Sequence, residues 1–145
     1  ILEYVALGKT EGRIVAGGKA GPKQGYFVLP TIVDGVRPRA RLACEEIFGP
    51  VLSVLTVKSF EEGIEVANDS DYGLTGSLYS RDRARLLAGK RDLYVGNLYL
   101  NRKCTGAFVG VHPFGGFNMS GTDSKAGGRE YLYLFTQQKA ISEKL

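Results

Sequence analysis

The chain has 145 residues, 43% of them apolar and 23% charged, a balance that supports a packed core and gives no sign of disorder. Its net charge of +4 sits in small groups (Arg37, Arg39 and Arg41; Arg81, Arg83 and Arg85) interleaved with apolar positions, which read as solvated helix faces or turns and not as a nucleic-acid footprint. The length suits one ordinary domain, no apolar run approaches the ~20 residues of a membrane helix, and two cysteines with a single histidine support neither a zinc site nor a disulfide scaffold, which fits a reducing cytoplasm.

The opening ILEYVALGKTEG places apolar residues at Ile1, Leu2, Val5 and Leu7, compatible with the last turns of a helix. It carries no N-terminal cap, so the chain is expected to be a piece of a longer one. RIVAGG (13–18) reads as a short buried strand ended by glycines. GYFVLPTIVDGV (25–36) is an extended segment that Pro30 suits to an edge or a bend rather than a sheet centre. VLSVLTVKSF (51–60) is β-branched and almost wholly apolar, as expected of a strand covered on both faces. Ser59 is placed to cap a helix with Glu61 and Glu62 in its first turn, and Phe60, Ile64 and Ala67 keep helical spacing.

DYGLTGSLYS (71–80) supplies another strand, RDRARLLAGK (81–90) a helix with Leu86 and Leu87 inward, and YVGNLYLN (94–101) a further strand. This alternation of strand and helix predicts an α/β fold with a mostly parallel sheet and helices on its faces. The glycine-rich NRKCTGAFVGVHPFGGFNMSGTDSKAGG (101–128) leaves the end of the last strand, where open α/β sheets bind ligands. EYLYLFTQQKAISEKL (130–145) gives a helical turn and then a strand-like tail, a candidate for pairing with another chain.

Three stretches, EEIFGPV (45–51), YGLTGSLYSRD (72–82) and PFGGFNMSGTDSKAGG (113–128), closely resemble in order and spacing the C-terminal part of the aldehyde dehydrogenase superfamily. GNLYLNRKCTGAFVG and SGTDSKAGG are similar to one branch, the 1-pyrroline-5-carboxylate dehydrogenases, which oxidise L-glutamate γ-semialdehyde to glutamate with NAD in proline degradation. The resemblance runs from about Gly12 to the end. It implies part of an α/β catalytic domain in residues 1–130 and an oligomerisation strand in 131–145, with NAD as cofactor, an amino-semialdehyde as substrate and a homo-oligomeric, cytoplasmic enzyme. It also implies that the nucleophilic cysteine, the oxyanion-hole asparagine, the general-base glutamate and the dinucleotide domain all lie upstream. No catalytic residue and no metal site is therefore expected here, and the 145 residues alone should be inactive. The alternative is a non-catalytic binding or assembly module derived from the same superfamily.

The resemblance assigns the Glu46 carboxylate to the hydroxyls of the nicotinamide ribose, where a charged acceptor can take two hydrogen bonds from a vicinal diol. A solvated glutamate at a turn is the plainer reading. Phe48 would pack near the nicotinamide ring, or simply in a core. Residues matching Gly106 and Ala107 anchor the substrate α-carboxylate in that branch through main-chain amides, and successive N–H groups turned one way do form an anion-binding concavity; a flexible glycine turn is the alternative. Phe114 would lie against the aliphatic part of the semialdehyde, while Gly115 and Gly116 read as a tight turn. Cys104, beside Arg102 and Lys103, has the sequence neighbours of an activated thiol, yet the family places its nucleophile upstream, so ordinary loop packing is expected. His112 is expected to be structural, Lys125 has no assigned chemistry, and GGKAG (17–21) lacks phosphate-loop spacing.

Overall fold

The computed structural model describes residues 1–105, 108, 110–121 and 126–144. They form two compact units, Ile1–Ser70 and Asp71–Leu145. In the first, helix α1 (Leu2–Glu11) leads into β1 (Arg13–Ala16), β2 (Thr31–Asp34), the short helix α2 (Arg41–Cys44), β3 (Val51–Val54) and helix α3 (Phe60–Asn68). The sheet order is β1-β2-β3, antiparallel between β1 and β2 and parallel between β2 and β3. Val33, Val36 and Leu42 are buried at its centre, with Tyr4, Leu7, Ile14, Ile47 and Leu55 packed around them.

Three expectations for this unit are corrected. Thr31–Asp34 is the central strand, because Pro30 stands just before it and its missing N–H is not needed by the ladder. The strand begins at Thr31, whose amide donates to Pro50 C=O (2.9 Å). RIVA has largely exposed residues and is not a buried strand: among the described residues it pairs on one side only, and it is interrupted by a bulge between Ile14 and Ala16. VLSV is the opposite edge, and Leu52 is 57% exposed, so neither face of β3 is fully covered among the described residues. Helix α3 follows the sequence reading: Ser59 Oγ accepts from Glu62 N–H (3.1 Å), and the Glu62 carboxylate accepts from Lys58 N–H (2.6 Å), a nearly reciprocal cap.

The second unit holds β4 (Tyr72–Gly73), β5 (Thr75–Leu78), helix α4 (Arg83–Asp92), β6 (Asn97–Leu100), β7 (Phe117–Asn118) and a 3-10 helix (Arg129–Phe135). The segment read as one strand over 71–80 is thus two. β5 and β6 pair in parallel from Thr75↔Asn97 to Leu78↔Leu100, joined by α4 as the alternation predicts, while β4 pairs antiparallel with β7. Asp82 caps α4 by accepting from Ala84 N–H (2.8 Å). Leu86 is buried, but Leu87, expected inward, is 51% exposed because it lies about 100° round the helix from Leu86. The tail beyond Thr136 belongs to no strand among the described residues, and no described helix is long and apolar enough to cross a membrane.

Candidate functional site

Glu46 and Phe48 lie on the short connection from α2 to β3, and α1 holds α2 at both ends. At the front, the Glu11 carboxylate accepts from the Leu42 amide (2.9 Å) and, more weakly, from that of Arg41 (3.4 Å), two of the N–H groups a helix start leaves unpaired. At the back, Arg41 grips Glu45 with two hydrogen bonds (2.7 and 2.9 Å), Tyr4 donates its hydroxyl to the same carboxylate (2.7 Å), and the guanidinium lies over the Tyr4 ring at 5.7 Å. Hydrogen bonds from Arg41, then from Tyr4, favour the charged carboxylate and lower the Glu45 pKa to about 2.

The neighbouring glutamate is treated differently. Glu46 is exposed, and its carboxylate has no hydrogen bond or ion pair among the described residues. Two residues on, Phe48 is 89% exposed and sits at φ +52°. That region is rarely occupied by bulky side chains and costs of order 1–3 kcal/mol. The Phe48 ring thus takes no part in the core of this unit. The segment thus exposes an unpaired carboxylate and, two residues on, an aromatic ring, groups chemically able to take up a diol and a flat ring.

In the second unit, the loop leaving β6 is tied down where it starts. Asn101, at φ +54°, donates to Ser80 C=O (3.0 Å) and accepts from Ser80 N–H (2.9 Å). The Arg102 guanidinium lies 5.1 Å from the Tyr99 ring centre and donates to Thr105 Oγ1 (2.8 Å), while Ser77 donates to the Arg102 carbonyl. Gly106 and Ala107, the expected carboxylate anchor, and Lys125 lie outside the described residues. Cys104 is exposed, without a hydrogen-bond partner among them. His112 Nδ1 lies 3.5 Å from the Phe108 amide, a local tie in keeping with a structural role. No cluster of three or more metal-ligating side chains occurs among the described residues.

Beyond the loop, Phe114 exchanges both main-chain hydrogen bonds with Ala126 (2.7 and 2.9 Å) and its half-buried ring lines an open cleft of about 620 Å3 with Met119 and Tyr131. Gly115 and Gly116 do not form the expected tight turn; both are extended chain leading into β7. Gly116 and Gly96 are glycines because backbone lies on backbone. A Cβ at Gly116 would stand 2.7 Å from Gly73 C=O, and one at Gly96 would strike Gly115 C=O outright. Sequence reasoning missed Asn97, Asn101 and Ser120, whose hydroxyl accepts from Gly73 N–H (3.0 Å). The available signal was chemical: asparagine is disfavoured in strands, yet one stands at the start of β6 and one just past its end.

The aldehyde dehydrogenase family profile matches residues 1–141. The chain is 56% identical over 143 residues to the 1-pyrroline-5-carboxylate dehydrogenase of Bacillus licheniformis, a match that spans 99% of this chain and 28% of that protein. Among solved structures, 1-pyrroline-5-carboxylate dehydrogenase from Thermus with bound NAD superposes with a TM-score of 0.96 at 56% identity, covering 99% of this chain and 28% of that one. The indole-3-acetaldehyde dehydrogenase of P. syringae, in complex with NAD+ and IAA, gives 0.91 at 39% identity, covering 99% and 29%. The chain thus spans under a third of the length of the relatives it matches. With the family profile running along nearly the whole sequence, the chain belongs to the aldehyde dehydrogenase family.

Proposed function

We propose that these residues form the C-terminal part of an NAD-dependent dehydrogenase that oxidises L-glutamate γ-semialdehyde, the open form of 1-pyrroline-5-carboxylate, to glutamate. The net reaction takes the aldehyde, one water and NAD+ to the carboxylate, NADH and two protons. NAD supplies the two-electron acceptor. The observation that carries the reading is the contrast between the adjacent glutamates: Glu45 is fully engaged by Arg41 and Tyr4, and Glu46 is left free beside an exposed, strained Phe48. Glu46 accepts the ribose hydroxyls, and Phe48 offers its ring face to the nicotinamide. Gly106 and Ala107 present main-chain amides to the α-carboxylate, and Phe114 covers the aliphatic chain.

Residues 1–130 belong to the catalytic domain, and 131–145 form a tail through which a cytoplasmic homo-oligomer assembles. Support for the tail comes from its exposure: Leu132, Tyr133, Phe135 and Ile141 are all largely bare. The nucleophile lies outside these residues, so the 145-residue chain alone should neither oxidise the semialdehyde nor bind NAD tightly. The test is steady-state kinetics on the complete enzyme and on the isolated chain. NAD-dependent oxidation of the semialdehyde by the complete enzyme alone supports the reading. Turnover by the isolated chain would contradict it and bring Cys104 back as a nucleophile, while inactivity of both would favour an assembly module.

A further inference from the structure

The segment carrying Phe114 is held by a side chain to which nothing above gives a role. Asn97, the first residue of β6, donates from Nδ2 to Pro113 C=O (3.1 Å), and its Oδ1 lies 3.5 Å from the Gly115 amide. The carboxamide therefore brackets Phe114 from both sequence neighbours. The main chain of Phe114 itself is committed on its other edge to Ala126, through hydrogen bonds of 2.7 and 2.9 Å. Behind the bracket, Gly115 C=O rests against Gly96, leaving no room for a Cβ there. Gly96 in turn donates to Gly73 C=O (2.9 Å), so the strand under Asn97 is fixed as well. Four hydrogen-bonding groups and one backbone contact thus converge on residues 113–115, far more than an exposed loop needs merely to close.

We infer that Asn97 is a positioning residue for substrate: it sets the height and tilt of the Phe114 ring over the cleft, and through it the fit of the aldehyde's carbon chain. The inference rests on Phe114 facing substrate, as proposed above. The 3.1 Å bond to Pro113 uses the donor side of the carboxamide, so the donor matters more than the acceptor. Asn97→Asp keeps the shape and removes that donor, and Asn97→Ala removes both groups. Neither variant alters a group assigned to NAD.

The test is a comparison of KM and kcat in the complete enzyme for three substrates: the semialdehyde, pentanal, which has its chain length without its carboxylate, and acetaldehyde, which has almost no chain for Phe114 to meet. Losing one neutral hydrogen bond predicts a roughly three- to tenfold rise in KM for the semialdehyde and pentanal in both variants. The KM values for acetaldehyde and NAD, and kcat at saturation, should stay within about twofold. In a Phe114→Ala background the effect of either Asn97 variant should vanish. An unchanged KM for pentanal, or a kcat that falls equally on all three substrates, would overturn the inference, because a purely structural role lowers the active fraction without sorting substrates by length. If the wild-type enzyme turns over pentanal but not the semialdehyde, the substrate assignment has failed, and the pentanal comparison still decides the role of Asn97. Should Asn97→Ala not fold, Asn97→Asp carries the same prediction.

Discussion

Each unit contains one β–α–β turn with parallel strands, β2–α2–β3 in the first and β5–α4–β6 in the second, yet they hold their functional segments in opposite ways. Glu46 and Phe48 precede β3 on a connection held through side chains: the charged Glu11, Arg41 and Glu45 and the Tyr4 hydroxyl fix α2, and the next residues are left free. The loop around Phe114 follows β6 and is held through main chain and small polar side chains, with Gly73, Gly96, Gly115 and Gly116 laid against one another. The contrast suits the two ligands proposed. A ribose diol wants a charged acceptor on a side chain, whereas a substrate carboxylate can be taken up by backbone amides, which glycine leaves uncovered.

That contrast can be broken most severely at Gly96. Gly96→Ala inserts a methyl into a space filled by Gly115 C=O, and the cost should reach at least the upper part of the ~1–3 kcal/mol typical of overpacking. Thermal unfolding of the complete enzyme should show a clear drop in Tm with loss of aldehyde turnover; an unchanged Tm would mean the backbone contact is not fixed. Glu46→Gln tests the other region. Losing charge-assisted hydrogen bonds to the ribose costs about 1.5–3 kcal/mol, or roughly ten- to a hundredfold in KM for NAD, with KM for the aldehyde unmoved. A variant whose KM for NAD stays at the wild-type value would return Glu46 to the status of a solvated surface residue.

A smaller effect, about 1 kcal/mol, is expected on removing the α3 cap by Ser59→Ala, read as a fall in denaturation midpoint with catalysis intact. The smallest is electrostatic. Because Arg41 and Tyr4 lower the Glu45 pKa from an ordinary 4.5 to about 2, its contribution to folding is fully present above about pH 4.5 and is lost as pH falls through about 2. The stability difference between wild type and Glu45→Gln should therefore shrink below pH 4.5 and close near pH 2. A Glu45 carboxyl that titrates at its ordinary value by NMR would show the three-residue contact to be open in solution.

The same contrast explains what could be read from the amino acids alone. Helix α3 was legible because Ser59, Glu61 and Glu62 act within one turn, and β5–α4–β6 because strand-like and helical stretches alternate along that part of the chain. Glu46, Phe48, Gly106, Ala107 and Phe114 were singled out by resemblance to a family, not by pattern. Composition could not tell Glu45 from Glu46, since Arg41, one turn earlier, bonds only the first of them and the rest of the difference comes from Tyr4, 41 residues earlier in the chain. Nor could it show why Gly96 and Gly116 are glycines, because the atoms that exclude a side chain there come from Gly115 and Gly73. The central position of Thr31–Asp34 was hidden for a related reason: Pro30 ends one step short of the ladder it would have disrupted.

The central claim, that the loop after β6 recognises a substrate carboxylate through main chain, is tested most directly at Gly106. In the complete enzyme, kcat/KM should be measured for the semialdehyde and for pentanal in wild type and in Gly106→Val, whose β-branched side chain restricts the backbone and crowds the anion. The account predicts a selective loss on the semialdehyde of roughly ten- to a hundredfold beyond that on pentanal, the equivalent of one charge-assisted hydrogen bond at about 1.4 kcal/mol per decade. Equal losses on both substrates would contradict it, and the loop would then serve folding or general access.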